Sequence, residues 1–348
     1  LINKLYIKFS MLKNKNYYSF FLIWLISLTI FISLIIIVGG LTRLTDSGLS
    51  ITEWELFRGI LPPFTSKAWL IYFDAYKKIP QFSLLNSTMT LNEFKIIFLW
   101  EYAHRLIARF IGLFFIIPFS FLIFMKILKK ETTIKLSYIL FLILFQGSLG
   151  WYMVKSGLIE STTVSHYRLS AHLLVAFLIF STLVWILLNS LNRTNIKLIN
   201  FSTNFIVLKI LLISIFLQIV FGAFVSGLDA GQIYQTWPLM NEKYFPDDTK
   251  LYEFLNFNQP STVQFLHRNL AYIIFFACSY IGFNIFNKKV EKLYASYLFF
   301  LSIVVVQIIL GITVLVSGVN IYFASMHQIS SIFLVLTALN LYYRSIRS

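Results

Sequence analysis

Apolar residues run through this chain in stretches of about 20, the length that crosses roughly 30 Å of hydrocarbon at about 1.5 Å per helical residue. They cover residues 18–41, 94–125, 136–154, 168–189, 203–226, 263–286, 294–316 and 322–343, and these eight stretches predict eight transmembrane helices. The first is too long, and too poor in small residues at its end, for a cleaved signal peptide. Polar residues gather between the stretches, and the segments after the first and fifth are the long ones. Composition agrees: of 348 residues 58% are hydrophobic and 12% charged, and a mean hydropathy of +0.77 is far above that of a water-soluble globule. The pattern predicts an all-α integral membrane protein.

A net charge of +15 invites a nucleic-acid partner, but the positions of the charges point elsewhere. Every second connection is basic: Lys4, Lys8, Lys13 and Lys15 precede the first span, then come Lys126, Lys129, Lys130 and Lys135, then Arg193 and Lys197, then Lys288, Lys289 and Lys292, and finally Arg344 and Arg347. The segment after the fifth span carries Asp229, Glu242, Asp247, Asp248 and Glu253 against Lys243 and Lys250, and the one after the seventh has no charge. By the positive-inside bias both termini are cytoplasmic, in a bacterial inner membrane, and the two long segments face outward. No nucleic acid is expected. The single cysteine, Cys278, lies in the sixth span, so neither an intramolecular disulfide nor a cysteine metal site is open to it, and it reads as a packing residue.

The chain repeats itself. "GGLTRLTDSGLS" from Gly39 matches "GAFVSGLDAGQI" from Gly222, which pairs Asp46 with Asp229 and Gly48 with Gly231. "WEYAHRLIAR" in span two matches "VQFLHRNLAY" in span six, "QGSLGWYMVKSGL" from Gln146 matches "QIILGITVLVSGV" from Gln307, and "LSAHLLVAF" in span four matches "ASMHQISSIF" in span eight. Any one match is weak, and four in one order are strong. Each repeat holds four spans, an even number, so both cross the membrane in the same sense. The expected architecture is two parallel four-helix bundles, residues 1–195 and 196–348, related by a pseudo-twofold axis along the membrane normal.

Four of the five histidines, His104, His172, His267 and His327, occupy repeat-matched positions a few residues into spans that start on the outer side. A lone membrane histidine is more often a hydrogen-bonding residue than a ligand. Two per bundle at one depth are what a haem iron requires, one imidazole on each side of a flat macrocycle. Zinc or copper usually recruits further His, Cys or carboxylate ligands. Small residues nearby, such as Ala103, Ala108, Gly112, Ser170, Ala171, Ser330 and Ser331, suit either a close-packed porphyrin or ordinary helix packing. His166 is six residues before His172, about 240° round the helix at about 100° per residue, and reads as a surface or loop-end residue.

The halves differ three residues before their first histidine, where span two has Glu101 and span six Gln264. Glu101 shares a helix face with His104, and an ionisable carboxylate at membrane depth is a functional candidate; a salt bridge to Arg105 or Arg109 is the plainer reading. Arg105 and Arg268 follow their histidines and suit haem propionates. Arg109 has Tyr272 as its counterpart, and snorkelling or pairing with Glu101 is open to it.

Along nearly its whole length the chain resembles the haem A synthases of the alphaproteobacterial and mitochondrial type. The stretches that carry the likeness are "GGLTRLTDSGLSITEWELFRGILPP", "MTLNEFKIIFLWEYAHRLIARFIGL", "YRLSAHL", "GAFVSGLDAGQIYQTWPLMNEKYFPDD" and "VQFLHR". The resemblance implies a resident haem b held by His267 and His327, a substrate haem O at His104 and His172, and Glu101 as the catalytic glutamate. It implies oxidation of the ring methyl of haem O through an alcohol to a formyl group, giving haem A for cytochrome oxidase. The partners it brings are haem O, the haem O synthase that supplies it and a membrane electron acceptor; homo-oligomerisation stays open. The two outer segments, rich in Trp, Tyr and Pro, suit caps over the haem mouths or a plain aromatic belt. A dihaem cytochrome b that only passes electrons needs the same histidines without the carboxylate, and a haem carrier without redox chemistry needs neither the full ligand set nor Glu101.

Overall fold

A computed structural model of the chain describes residues 11–53, 58–160, 162–198, 206–250, 252 and 254–347. Lys4, Lys8, Glu253 and residues 54–57 of the first outer segment lie outside the described residues. Eight helices are long and apolar enough to cross a membrane. They are α1 (Tyr18–Leu44), α4 (Leu91–Phe124), α5 (Lys130–Glu160), α6 (His166–Leu191), α7 (Ile206–Gly227), α8 (Pro260–Asn287), α9 (Glu291–Val316) and α10 (Ile321–Arg347), with the short α2 (Ser66–Tyr76) and α3 (Pro80–Leu85) in the first outer segment. The chain is a multi-pass membrane protein, because only helices that satisfy their own backbone groups can cross lipid in this way.

Local chemistry sets the ends. Thr90 and Glu93 form a capping box at the start of α4, where the Thr90 backbone N–H donates to Glu93 at 2.7 Å. Pro260 occupies the first turn of α8, where its missing N–H leaves nothing unsatisfied. At the ends away from the two long segments α4, α6 and α8 each stop beside a residue in the left-handed region, Lys126, Arg193 and Lys289.

Within the first half α1 packs on α4, α4 on α5, α5 on α6 and α6 back on α1; α7 to α10 repeat this ring. Between the halves α6 packs on α7, α10 packs on α1, and α6 meets α10. Exchanging the halves turns the first of these contacts into the second and leaves the third unchanged, which is compatible with the expected pseudo-twofold.

The packing is uneven along the membrane normal. Phe21, Trp24, Leu25, Phe115, Phe119, Phe180, Trp185, Phe300 and Tyr343 form a continuous core toward the side away from the two long segments. Cys278 is fully buried in it, as the packing reading requires. A second cluster, Leu49, Ile51, Phe73, Tyr76, Ile79, Phe94 and Phe98, folds the first outer segment down onto α4. Large side chains such as Ile23, Ile117, Phe276 and Phe283 point outward, as lipid-facing positions should. Between the continuous core and the outer segments the helices leave an open space.

Candidate functional site

Each half brings its two matched histidines together. His104 on α4 faces His172 on α6 with ring centroids 6.5 Å apart, and His267 on α8 faces His327 on α10 at the same 6.5 Å. Two metal–imidazole bonds of about 2 Å, with the reach from each ring centre to its nitrogen, span about 6 Å, so each gap accommodates one metal ion.

A histidine kept for structure normally spends its ring nitrogens on hydrogen bonds. Here Nδ1 of all four is buried without a partner, and the ring neighbour that occurs is Gln218, whose Nε2 lies 3.3 Å from Nε2 of His267. Among the described residues no group of three or more His, Cys, Asp or Glu comes together. The histidines come together only as pairs, an arrangement that suits a macrocycle supplying its own in-plane ligands and fits zinc poorly.

One cavity of about 1210 Å³ takes in both pairs. That exceeds the roughly 300–1,000 Å³ of a single ligand pocket and leaves room for two large flat groups. Its wall includes Glu101, Arg105 and Arg109 in the first half and Gln264, Arg268 and Tyr272 in the second.

Glycine seats each ring. A Cβ on Gly39 would stand 2.9 Å from the His104 ring, on Gly150 3.0 Å from His172, on Gly222 3.2 Å from His267 and on Gly311 3.1 Å from His327. These positions are related by the repeat, and each lets a ring lie against the backbone of the neighbouring helix. Four residues before three of them stands a glutamine whose side-chain amide donates to the backbone carbonyl of the seated histidine: Gln146 to His172 at 3.0 Å, Gln218 to His267 at 3.0 Å, and Gln307 to His327 at 3.1 Å. Neither the seats nor this role of the glutamines follows from motif matching. The signal was present as Gln-x-x-x-Gly, but Gln218 falls just before the matched stretch that begins at Gly222.

Glu101 is buried, and both of its oxygens have partners. One carboxylate oxygen accepts from the Ser50 hydroxyl at 2.7 Å and the Ile51 N–H at 2.8 Å, and the other pairs with Arg105 at 2.6 Å. The ion pair expected with either Arg105 or Arg109 forms with Arg105. That guanidinium also donates to the Ile51 carbonyl at 3.0 Å. In the second half Gln264 and Arg268 both donate to the Tyr234 carbonyl at 2.9 Å, and Arg268 continues to the carbonyl of Thr236. Both arginines thus tie an outer segment down over a histidine pair, besides lining the cavity. In the second segment burial and hydrogen bonds to Asp247 and Asp248 push the Tyr234 phenol up. Burial works to raise the Asp248 carboxyl, but donors from Ser261, Tyr234 and Thr249 outweigh it and hold it low.

Two residues stand between the halves. Arg43 on α1 reaches Asp46 at 2.6 Å, Asp229 at 2.9 Å and the Ser226 carbonyl at 2.5 Å. His166 stands at a loop end, as the first residue of α6, and is half-buried: it packs on Tyr167 and Phe224, and the Gly227 backbone approaches it so closely that a Cβ there would meet its Cα at 2.9 Å. It does not line the cavity, in keeping with its angle on the helix wheel.

Fold and site together define a multi-pass membrane protein with two facing histidine pairs in one cavity. A family model described as cytochrome oxidase assembly protein matches residues 22–339, and the chain belongs to that family. It is 48% identical over 326 residues to the heme A synthase of Pelagibacter ubique, covering 92% of this chain and 94% of that protein. It is 41% identical over 313 residues to the heme A synthase of Bradyrhizobium diazoefficiens (88% and 86%) and 43% over 327 residues to that of Rickettsia bellii (90% and 94%).

Proposed function

We propose that the chain is a haem A synthase, an oxidoreductase that converts the ring methyl of haem O through an alcohol to a formyl group and so provides haem A for cytochrome oxidase. The observation that carries this reading is a difference in ionisable chemistry between two repeat-related sites: the first pair has the buried carboxylate of Glu101 beside it, where the second has the amide of Gln264. An electron carrier needs the same four histidines and gives no reason for a carboxylate in one wall.

The residues divide by half, 1–195 for the substrate and 196–348 for the cofactor. His104 and His172 bind the iron of haem O, and His267 and His327 that of a resident haem b. When bound, haem b supplies one-electron transfer at the second pair. Arg105 and Arg268 hold the outer segments closed, which keeps water from the cavity, and their position in its wall suits the propionates of each haem.

Glu101 is the base. Two donors occupy one of its oxygens, while the oxygen that pairs with Arg105 accepts a single bond and keeps a lone pair to take a proton or to position a water. Arg105 is its counter-ion, and Ser50 and Ile51 fix its orientation. The alternating basic connections favour an inner-membrane location with cytoplasmic termini. Haem O synthase as supplier and a membrane electron acceptor are the partners this chemistry needs.

The experiment is co-expression with a source of haem O, followed by extraction and mass analysis of the haems that copurify. Haem O and haem A on the protein are expected; protohaem alone overturns the reading in favour of the dihaem electron carrier.

A further inference from the structure

Three of the four histidines are fixed at two points. The ring lies against a glycine of the neighbouring helix, and a glutamine one turn earlier on that helix donates to the histidine's backbone carbonyl. On α9 the pin is itself braced, since Gln307 also accepts from the Ser330 hydroxyl. His104 departs from the rule. Its ring has the tightest seat, on Gly39 at 2.9 Å, but four residues before Gly39 stands Ile35, which has no donor. Among the described residues no side chain donates to the His104 carbonyl.

We infer that His104 is the releasing ligand of the first site, and that Ile35, in place of the glutamine found at the other three positions, is the positioning residue that makes it so. This rests on the reading of the first pair as the substrate site. A resident cofactor must stay through many turnovers, and both of its histidines carry the pin. A substrate must enter and a product leave through the same coordination sites. There one histidine, His172, carries the pin and anchors the iron, while the other is held by ring packing alone. The backbone at His104 can then shift away from α1 without breaking a buried hydrogen bond, a loss the other three histidines would suffer. The asymmetry also sets a direction, because the ligand that yields is on the helix that carries Glu101, one turn away. Withdrawal of His104 would free the side of the pair that faces the helix carrying Glu101.

The test loads the full chain in detergent with protohaem at both sites and follows transfer to excess apomyoglobin. Two phases are expected, and His327→Ala, which leaves the first pair intact, assigns the faster one to His104 and His172. Ile35→Gln supplies the missing donor and should slow the fast phase about tenfold, the upper range for one recovered buried hydrogen bond, with the slow phase as internal control. Gln307→Leu should speed the slow phase by a similar factor. Carbon monoxide added to the reduced protein should bind at the first site and not at the second in the wild type, and should bind more slowly there in Ile35→Gln. Equal release from both sites, or a fast phase that Ile35→Gln leaves unchanged, overturns the inference. Should Ile35→Gln fail to fold, the wild-type phases and Gln307→Leu decide the matter alone. Continued haem A production with equal release rates would sink the releasing ligand and leave the synthase reading intact, whereas failure of either pair to hold haem would sink that reading instead.

Discussion

Ile51 in the first outer segment and Tyr234 in the second occupy the same place in the repeat, five residues after Asp46 and Asp229, and each lies over a histidine pair. In both halves the arginine that follows the first histidine donates to the carbonyl at this place, Arg105 at 3.0 Å and Arg268 at 2.9 Å. The residue three before the histidine does opposite things. Glu101 accepts from the N–H of Ile51, while Gln264 donates to the carbonyl of Tyr234. One scaffold therefore holds its segment closed either with a charged acceptor or with a neutral donor. The charge is not required for the fold, and so calls for another reason to be there.

The sharpest way to break the comparison is to make the halves alike. Glu101→Gln can hold the first segment as Gln264 holds the second, so folding and haem content should persist. Haem A formation should fall by roughly 10²- to 10⁴-fold, the usual contribution of a positioned acid–base group. Extracted haems measured by mass resolve this, and normal formyl production would remove Glu101 from the mechanism. Next in size is the loss of a ligand. His267→Ala or His327→Ala should abolish the bis-histidine spectrum of the resident haem, whereas His104→Ala should leave it; an unchanged spectrum after either second-half substitution would reverse the assignment of the two sites.

Much of this was legible in the sequence because bilayer thickness fixes the length of a span. The eight predicted stretches match the helices to within a few residues, except that α5 runs Lys130–Glu160 against a predicted 136–154, its polar ends continuing past the apolar stretch. The histidine pairs were legible because duplication preserved their order. What was not legible is contact across long separations. Ser50 and Ile51 reach Glu101 from 51 and 50 residues away, Arg43 reaches Asp229 over 186, and Gln328 donates to the Ile36 carbonyl over 292. No periodicity encodes these pairings, which depend on how the two halves meet. His166 shows the limit from the other side: the helix wheel excluded it from the iron, but only the packing of α6 on α7 places it between the halves.

That meeting of halves allows a smaller test. Gln328, next to His327, crosses to α1 and fills the space over Gly40; in the repeat their counterparts are Leu173 and Ala223. A methyl group at Gly40 overlaps the Gln328 amide, which can swing aside only by giving up its bond to the Ile36 carbonyl, so Gly40→Ala should destabilise the protein by about 0.5–1.5 kcal/mol, the usual worth of one such bond. Gly112→Ala meets nothing within 4 Å and should be nearly silent. Thermal unfolding in detergent compares them, and equal melting temperatures for the two variants would deny that Gln328 couples the second bundle to α1.

The smallest effect is expected at Arg43, where the halves share one cation. Its repeat partner is Ser226, whose carbonyl it contacts, so a single arginine near the junction serves the aspartates of both motifs, each in the left-handed region at φ 51° and 50°. The arginine side chain is 13% exposed but the carboxylates of Asp46 and Asp229 are 60% and 57% exposed, so solvent and salt screen both pairs. Arg43→Ala should therefore lower stability by only about 1 kcal/mol or less, and the difference should shrink as ionic strength rises. In a double-mutant cycle Asp229→Ala should couple to Arg43 even though it lies in the other repeat, as Asp46→Ala does within the first. Coupling to Asp46 alone would mean that Arg43 merely closes the end of α1; coupling to both makes it a tie between the outer ends of the two halves, holding the mouths of the two sites in one register.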